Sequence, residues 1–198
     1  MRTIKNSFNS CWLTLLKRGS LLTLINTIYF GSIFISALLM QLWFPPMLRE
    51  ESIEFPHFMF TDWGLPTLVL SIFLFNLLVS GFILTTLTGL VFFALPLAIL
   101  VLRATVWSAL LNTLSTQALL LALPTIIFEG EGYVLTATAG VILGLSWLKP
   151  PLIYGNEPLS RSEALKKALK EATHIFAWAT IILFTAALIE GFTITYLT

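Results

Sequence analysis

LPTLVLSIFLFNLLVSGFILTTLTGLVFFALPLAILVLRATVWSALLNTLSTQALLLALPTIIFEGEGYVLTATAGVILGLSWL, residues 65–148, runs for 84 residues with only three charged side chains, Arg103, Glu129 and Glu131. A bilayer core about 30 Å thick is crossed by about 20 residues of α-helix, so this run holds three or four spans. The flanking charge decides between them. Lys and Arg gather at Arg2, Lys5, Lys17 and Arg18, and again at Lys149, Arg161, Lys166, Lys167 and Lys170. Basic loops stay on the cytoplasmic side, so an even number of crossings separates the two groups. One span at 21–43 and three inside the long run, at 65–84, 89–110 and 117–148, satisfy that parity; a fifth follows at 172–196. The N-terminus is then cytoplasmic and the C-terminus outside.

The rest of the composition fits a polytopic, all-α membrane bundle in a single domain. Hydrophobic residues make up 57% of the 198 and charged ones 11%, with a mean hydropathy of +0.91; soluble domains carry about a quarter charged residues. The net charge of +1 gives no footing for nucleic acid. Cys11 is the sole cysteine, which removes intrachain disulfides and cysteine metal sites. No sequence motif points to a cofactor.

Residues 1–18 place Ile4, Phe8, Cys11, Trp12 and Leu15 at helical spacing with Arg2, Lys5, Asn9 and Lys17 around the rest of the wheel, the pattern of an interfacial amphipathic helix. Eighteen residues make an overlong n-region for a cleaved secretory signal. Pro45 and Pro46 stop the first span, and the loop at 45–64 is expected to lie against the bilayer surface. The fourth segment, 117–148, exceeds the length of a span by about ten residues and contains Pro124, Gly130, Gly132, Gly140 and Gly144, so a break or strong kink is expected near 128–132. Ser160 to Glu163 reads as a capping box opening a short cytoplasmic amphipathic helix in the loop 149–171.

An ionised side chain at mid-bilayer costs at least about 2.5–3.5 kcal/mol, so Arg103, Glu129, Glu131 and Glu190 each need a partner, a wet cavity or a proton. With the topology above, all four fall in the outer half of the membrane, and a polar cluster there, with Arg103 pairing one or two glutamates and Asn76 as a further polar member, is expected. Three readings stay open: ion pairs that fix helix register, a cation or proton site, and catalysis. Against the last, HExxH, GxSxG and GxGxxG are all absent, and His57 and His174 fall on opposite sides of the membrane. Whether a metal binds the acids is not decided by the residues. Gly140-x-x-x-Gly144 puts two glycines on one helix face, which suits either packing within the monomer or a homo-oligomer.

Pro124-Thr-Ile-Ile-Phe-Glu129, followed by Gly140 and Gly144, resembles a motif of the stage II sporulation protein M family: proline, histidine, glycine, two apolar residues and glutamate, with small residues after it. The closing Ala187-Leu-Ile-Glu190-Gly191-Phe resembles that family's end of the last span, and Asn76 in Phe75-Asn76-Leu is similar to an asparagine motif that opens its central region. Thr125 and Ile126 stand where the family often has histidine and glycine, and Glu131 where proline is common, so no role of the missing histidine carries over. The resemblance implies about five spans and a membrane component of a larger assembly; the leading expectation is a non-enzymatic scaffold or assembly subunit that organises membrane or envelope proteins in the lipid bilayer. A small channel or transporter using the intramembrane glutamates is the alternative.

Overall fold

The computed structural model describes residues 2–43, 64–155 and 157–196, with side chains from residue 9 onward. The loop expected to lie on the bilayer surface, and His57 within it, fall outside the described residues. Helices account for nearly all of the rest: α1 (Arg2–Lys17), α2 (Gly19–Trp43), α3 (Leu65–Leu74), the π-helix π1 (Phe75–Leu87), α4 (Thr88–Val91), α5 (Leu95–Thr113), α6 (Thr116–Leu148), α7 (Pro150–Tyr154) and α8 (Arg161–Tyr196). Five continuous helical stretches, Gly19–Trp43, Leu65–Val91, Leu95–Thr113, Thr116–Leu148 and Arg161–Tyr196, are long and apolar enough to cross a membrane. Five spans are thus present where the hydropathy pattern puts them, in an all-α polytopic bundle.

α6 is the axis of that bundle. It packs most heavily on α8 and also touches α2, π1, α4 and α5, and from Gly132 to Gly144 each of its residues is buried. Two apolar clusters flank it. One joins Ile25 and Tyr29 of α2, Leu100 and Ala104 of α5, Tyr133, Val134, Ala137 and Val141 of α6, and Leu183 of α8. In the other, Leu135, Ala139, Ile142 and Leu143 meet Ala168, Ala172, Ile175 and Ala179 of α8. Lipid tails are as apolar as leucine, so membrane helices associate through close packing of small residues, and the alanines of α8 recur every four to seven residues to allow it.

Of the break or strong kink expected near 128–132, the break is not there: α6 runs as one helix for 33 residues through Pro124. Its glycines provide close approach. A Cβ on Gly132 would fall 2.4 Å from Leu183 Cδ2, and one on Gly144 2.3 Å from the Gly89 carbonyl oxygen. Gly140 and Gly144 are buried against α4, π1 and the start of α5, so the GxxxG face is filled within the protomer.

The departure from α geometry lies in the second span. π1 is 13 residues long, although π-turns usually occur singly. Its buried residues are Asn76, Ser80, Gly81, Thr85 and Thr86, spaced four to five apart. An α-helix, at 3.6 residues per turn, would rotate that stripe off the α6 interface, whereas i→i+5 winding keeps it aligned. Thr85 Oγ1 donates to Ser80 O at 2.6 Å, and Thr86 Oγ1 lies 3.0 Å from Gly81 O and 2.9 Å from Thr136 O on α6. The span also outlasts its expected end at 84, because Pro96 in the first turn of α5 fixes where the next helix begins.

The loop 149–171 is correspondingly shorter than expected. The capping box is present, with Ser160 N donating to Glu163 Oε2 at 2.9 Å and Glu163 N to Ser160 Oγ at 3.3 Å. The helix it opens continues without interruption into the fifth span as α8, since neither Gly nor Pro occurs between Ser160 and Gly191. α1 docks on the early turns of α8 through Trp12 against Trp178, ring centroids 5.9 Å apart, and Thr14 Oγ1 against His174 Nδ1 at 2.9 Å.

Candidate functional site

Three spans bring polar groups to one buried point. Glu129 of α6 is 5% exposed, Tyr133 one turn later 0%, and Asn76 of π1 7%. Arg103 of α5 reaches over the Tyr133 ring, its Cζ 3.8 Å from the centroid, and places Nη1 3.5 Å from Glu129 Oε1. Tyr133 Oη lies 2.5 Å from Glu129 Oε1 and 2.8 Å from Asn76 Oδ1. A phenol has one proton to give. Glu129 Oε1 and Asn76 Oδ1 are both acceptors within its reach, and it bonds one of them at a time.

The glutamates predicted to converge with Arg103 do so in part. Glu129 does. Glu131, two residues on and therefore on the opposite face of the helix, is half-buried and faces Asn26 of α2. Glu190 of α8 sits near enough to Glu129 to feel its charge but lines a cleft of its own, with Thr125 and Trp107. The family-motif residues around these acids have packing roles. Gly191 lets α8 approach Val69 of α3, where a Cβ would lie 2.6 Å from Val69 Cγ2, while Pro124 lines an apolar groove between α3, α6 and α8.

Sequence reasoning passed over Tyr133, although its spacing of four from Glu129 places the two on one face. It also passed over a second buried pair. Arg18 and Glu171, each 8% exposed, meet where α1, α2, α7 and α8 join. Arg18 Nε and Nη2 donate to Glu171 Oε2 at 2.8 and 2.6 Å, and Nη1 donates to Ile153 O at 2.9 Å. Lys17 Nζ stands 3.5 Å from Glu171 Oε1. Beside them the Tyr154 ring receives Lys167 Nζ at 4.6 Å and Arg18 Cζ at 5.2 Å from its centroid; burial pushes its phenol up to about 12, so the ring stays neutral under these cations. Lys167 also hydrogen-bonds Glu157 at 2.5 Å and holds that carboxyl below its ordinary value. Arg18 enters the sequence reading only as one of the basic residues that set the topology.

Five spans around a buried, paired polar cluster define a polytopic membrane protein of the helical-bundle class. The chain belongs to the stage II sporulation protein M family, whose model matches residues 20–194. No curated protein and no solved structure matches it. The match takes in all five spans and leaves out α1.

Proposed function

We propose that the protein is a non-enzymatic membrane scaffold or assembly subunit that holds partner membrane or envelope proteins, with its N-terminus cytoplasmic and its C-terminus outside. The observation that carries this reading is how Arg103, Glu129, Tyr133 and Asn76 are used: they are spent on one another, between three helices, in a nearly dry interior. A conducting site needs carboxylates that exchange partners with a passing ion; here the central carboxylate is committed to an arginine and a phenol. Such a cluster fixes helix register. Membership of the family supports the same reading, since its sporulation member resembles a gatherer of cell-wall-remodelling partners.

The test separates assembly from transport. Glu129→Gln leaves Arg103 without its counter-charge and is expected to lower stability in detergent by about 2 kcal/mol, the worth of a charged hydrogen bond. Proteoliposomes of the wild type and the variant, assayed for proton, sodium and potassium flux, are expected to leak no faster than protein-free vesicles. In native membranes, the wild type is expected to migrate above its own mass as a discrete complex that the variant forms less. Cation flux abolished by Glu129→Gln in a still-folded protein would overturn the scaffold reading.

A further inference from the structure

Glu190 lies in the apolar half of α8 with no cation assigned to it. Arg103 is engaged by Glu129, and among the described residues no Lys or Arg stands within ion-pair distance of Glu190. Its neighbour in charge is another acid, Glu129. The carboxylate lines a cleft of about 200 Å³ between the α5–α6 turn and the end of α8, together with Ser115, Gln117, Thr125, Thr193 and Trp107. That is smaller than the ~300–1,000 Å³ of pockets for drug-sized ligands and suits a headgroup.

A second, wholly different surface adjoins it. Leu65 and Val69 of α3, Leu120 and Pro124 of α6, and Phe192 of α8 form an apolar groove that shares Leu121 and Thr193 with the cleft. Acid and hydroxyls therefore open directly onto a hydrocarbon-lined channel on the outside of the bundle. Glu190 is six residues from the end of α8, about 9 Å along the axis, a depth that lipid headgroups border.

We propose that cleft and groove together bind one phospholipid whose headgroup carries a primary ammonium, the ammonium against Glu190 and one acyl chain along the groove. Charge complementarity selects the headgroup: the cleft offers an anion and no basic side chain. A primary ammonium has three N–H donors for the carboxylate and the neighbouring oxygens of Ser115, Thr125, Thr193 and Gln117, whereas a quaternary ammonium has none. A bare cation would leave the groove empty, and an anionic headgroup would meet Glu190 with like charge. The phosphate is left at the mouth, beside the first turn of α6.

Native mass spectrometry of the detergent-purified protein, offered equimolar dioleoyl-phosphatidylethanolamine, -phosphatidylcholine and -phosphatidylglycerol, tests this. The ethanolamine lipid is expected to be retained at least about tenfold over either competitor, as a charge-assisted hydrogen bond provides. Glu190→Gln is expected to bring that preference to within about twofold, and Ala118→Trp, which fills the cleft without touching a charge, to abolish lipid retention at unchanged unfolding temperature. Equal retention of the three lipids, or a preference that survives Glu190→Gln, overturns the proposal. So does displacement of the bound lipid by glycerophosphoethanolamine, which has the headgroup and no chains. None of these readouts depends on scaffolding, so the two readings fail separately.

Discussion

Gly89→Ala is expected to destabilise the bundle by about 3 kcal/mol, the upper end of overpacking costs, although it adds one methyl group. A Cβ at Gly89 would lie 2.1 Å from the Gly140 carbonyl oxygen and 2.4 Å from its carbon. These are backbone atoms of the central helix, so no rotamer change relieves the overlap and α4 must move off α6. Gly144 meets the same contact from the other side, its Cβ position 2.3 Å from Gly89 O. Gly31→Ala is the control: nothing lies within 4 Å of its Cβ position, and alanine gains about 0.5–1 kcal/mol over glycine inside a helix. Reversible unfolding in mixed micelles, followed by tryptophan fluorescence, should place the two variants on opposite sides of the wild type. Equal stability of Gly89→Ala and wild type would mean that the helices do not approach this closely.

The second large effect is expected at the α1–α8 junction. Arg18→Met strands Glu171 in a buried site, for which breaking one partner of such a pair costs about 3–5 kcal/mol. Lys17, 51% exposed and 3.5 Å from the other carboxylate oxygen, offsets part of it, so about 3 kcal/mol is the expected loss. Arg18→Met combined with Glu171→Met should recover most of the stability, because a buried pair replaced by apolar groups is often neutral. The double variant being as unstable as the single one would show that the loss comes from the severed Arg18–Ile153 carbonyl bond.

Spans were legible because a hydrocarbon core demands uncharged length, and because basic loops set parity; that arithmetic placed five helices in the right order. Their ends were less legible. The α3–π1–α4 stretch extends past 84 because a proline seven residues into the expected next span starts α5 instead, and hydropathy does not distinguish a turn at Phe92 and Phe93 from membrane. The broken fourth span was a misreading of glycine. Gly130, Gly132, Gly140 and Gly144 suggest a break, and each is instead a place where another helix or an aromatic ring comes too near for a Cβ. The same sequence pattern serves both purposes, and only the neighbour decides. Arg103, Glu129 and Asn76 were rightly grouped, since residues that are costly in lipid seek one another. Glu131 does not join them, because an i+2 spacing turns by about 200° around a helix and puts it on the face opposite Glu129. The stripe from Asn76 to Thr86 had a period of four to five residues, a π-helical signature hidden by its low polarity.

α8 is one rod from Arg161 to Tyr196, about 54 Å at 1.5 Å per residue. Between Glu171 and Glu190 it holds 18 residues with no Asp, Glu, Lys or Arg, about 27 Å of uncharged length. An unbroken helix neither folds nor stretches, and its ends are pinned, one by Arg18 and one by packing against α3 and α6. The fifth span is therefore a gauge of fixed reach. It matches a thin hydrocarbon core of about 27 Å without tilting, and a bilayer a few ångströms thicker has to thin around it, at a cost of a fraction of a kcal/mol per ångström. Where in a cell's membranes this bundle settles is, through α8, partly a question of bilayer thickness.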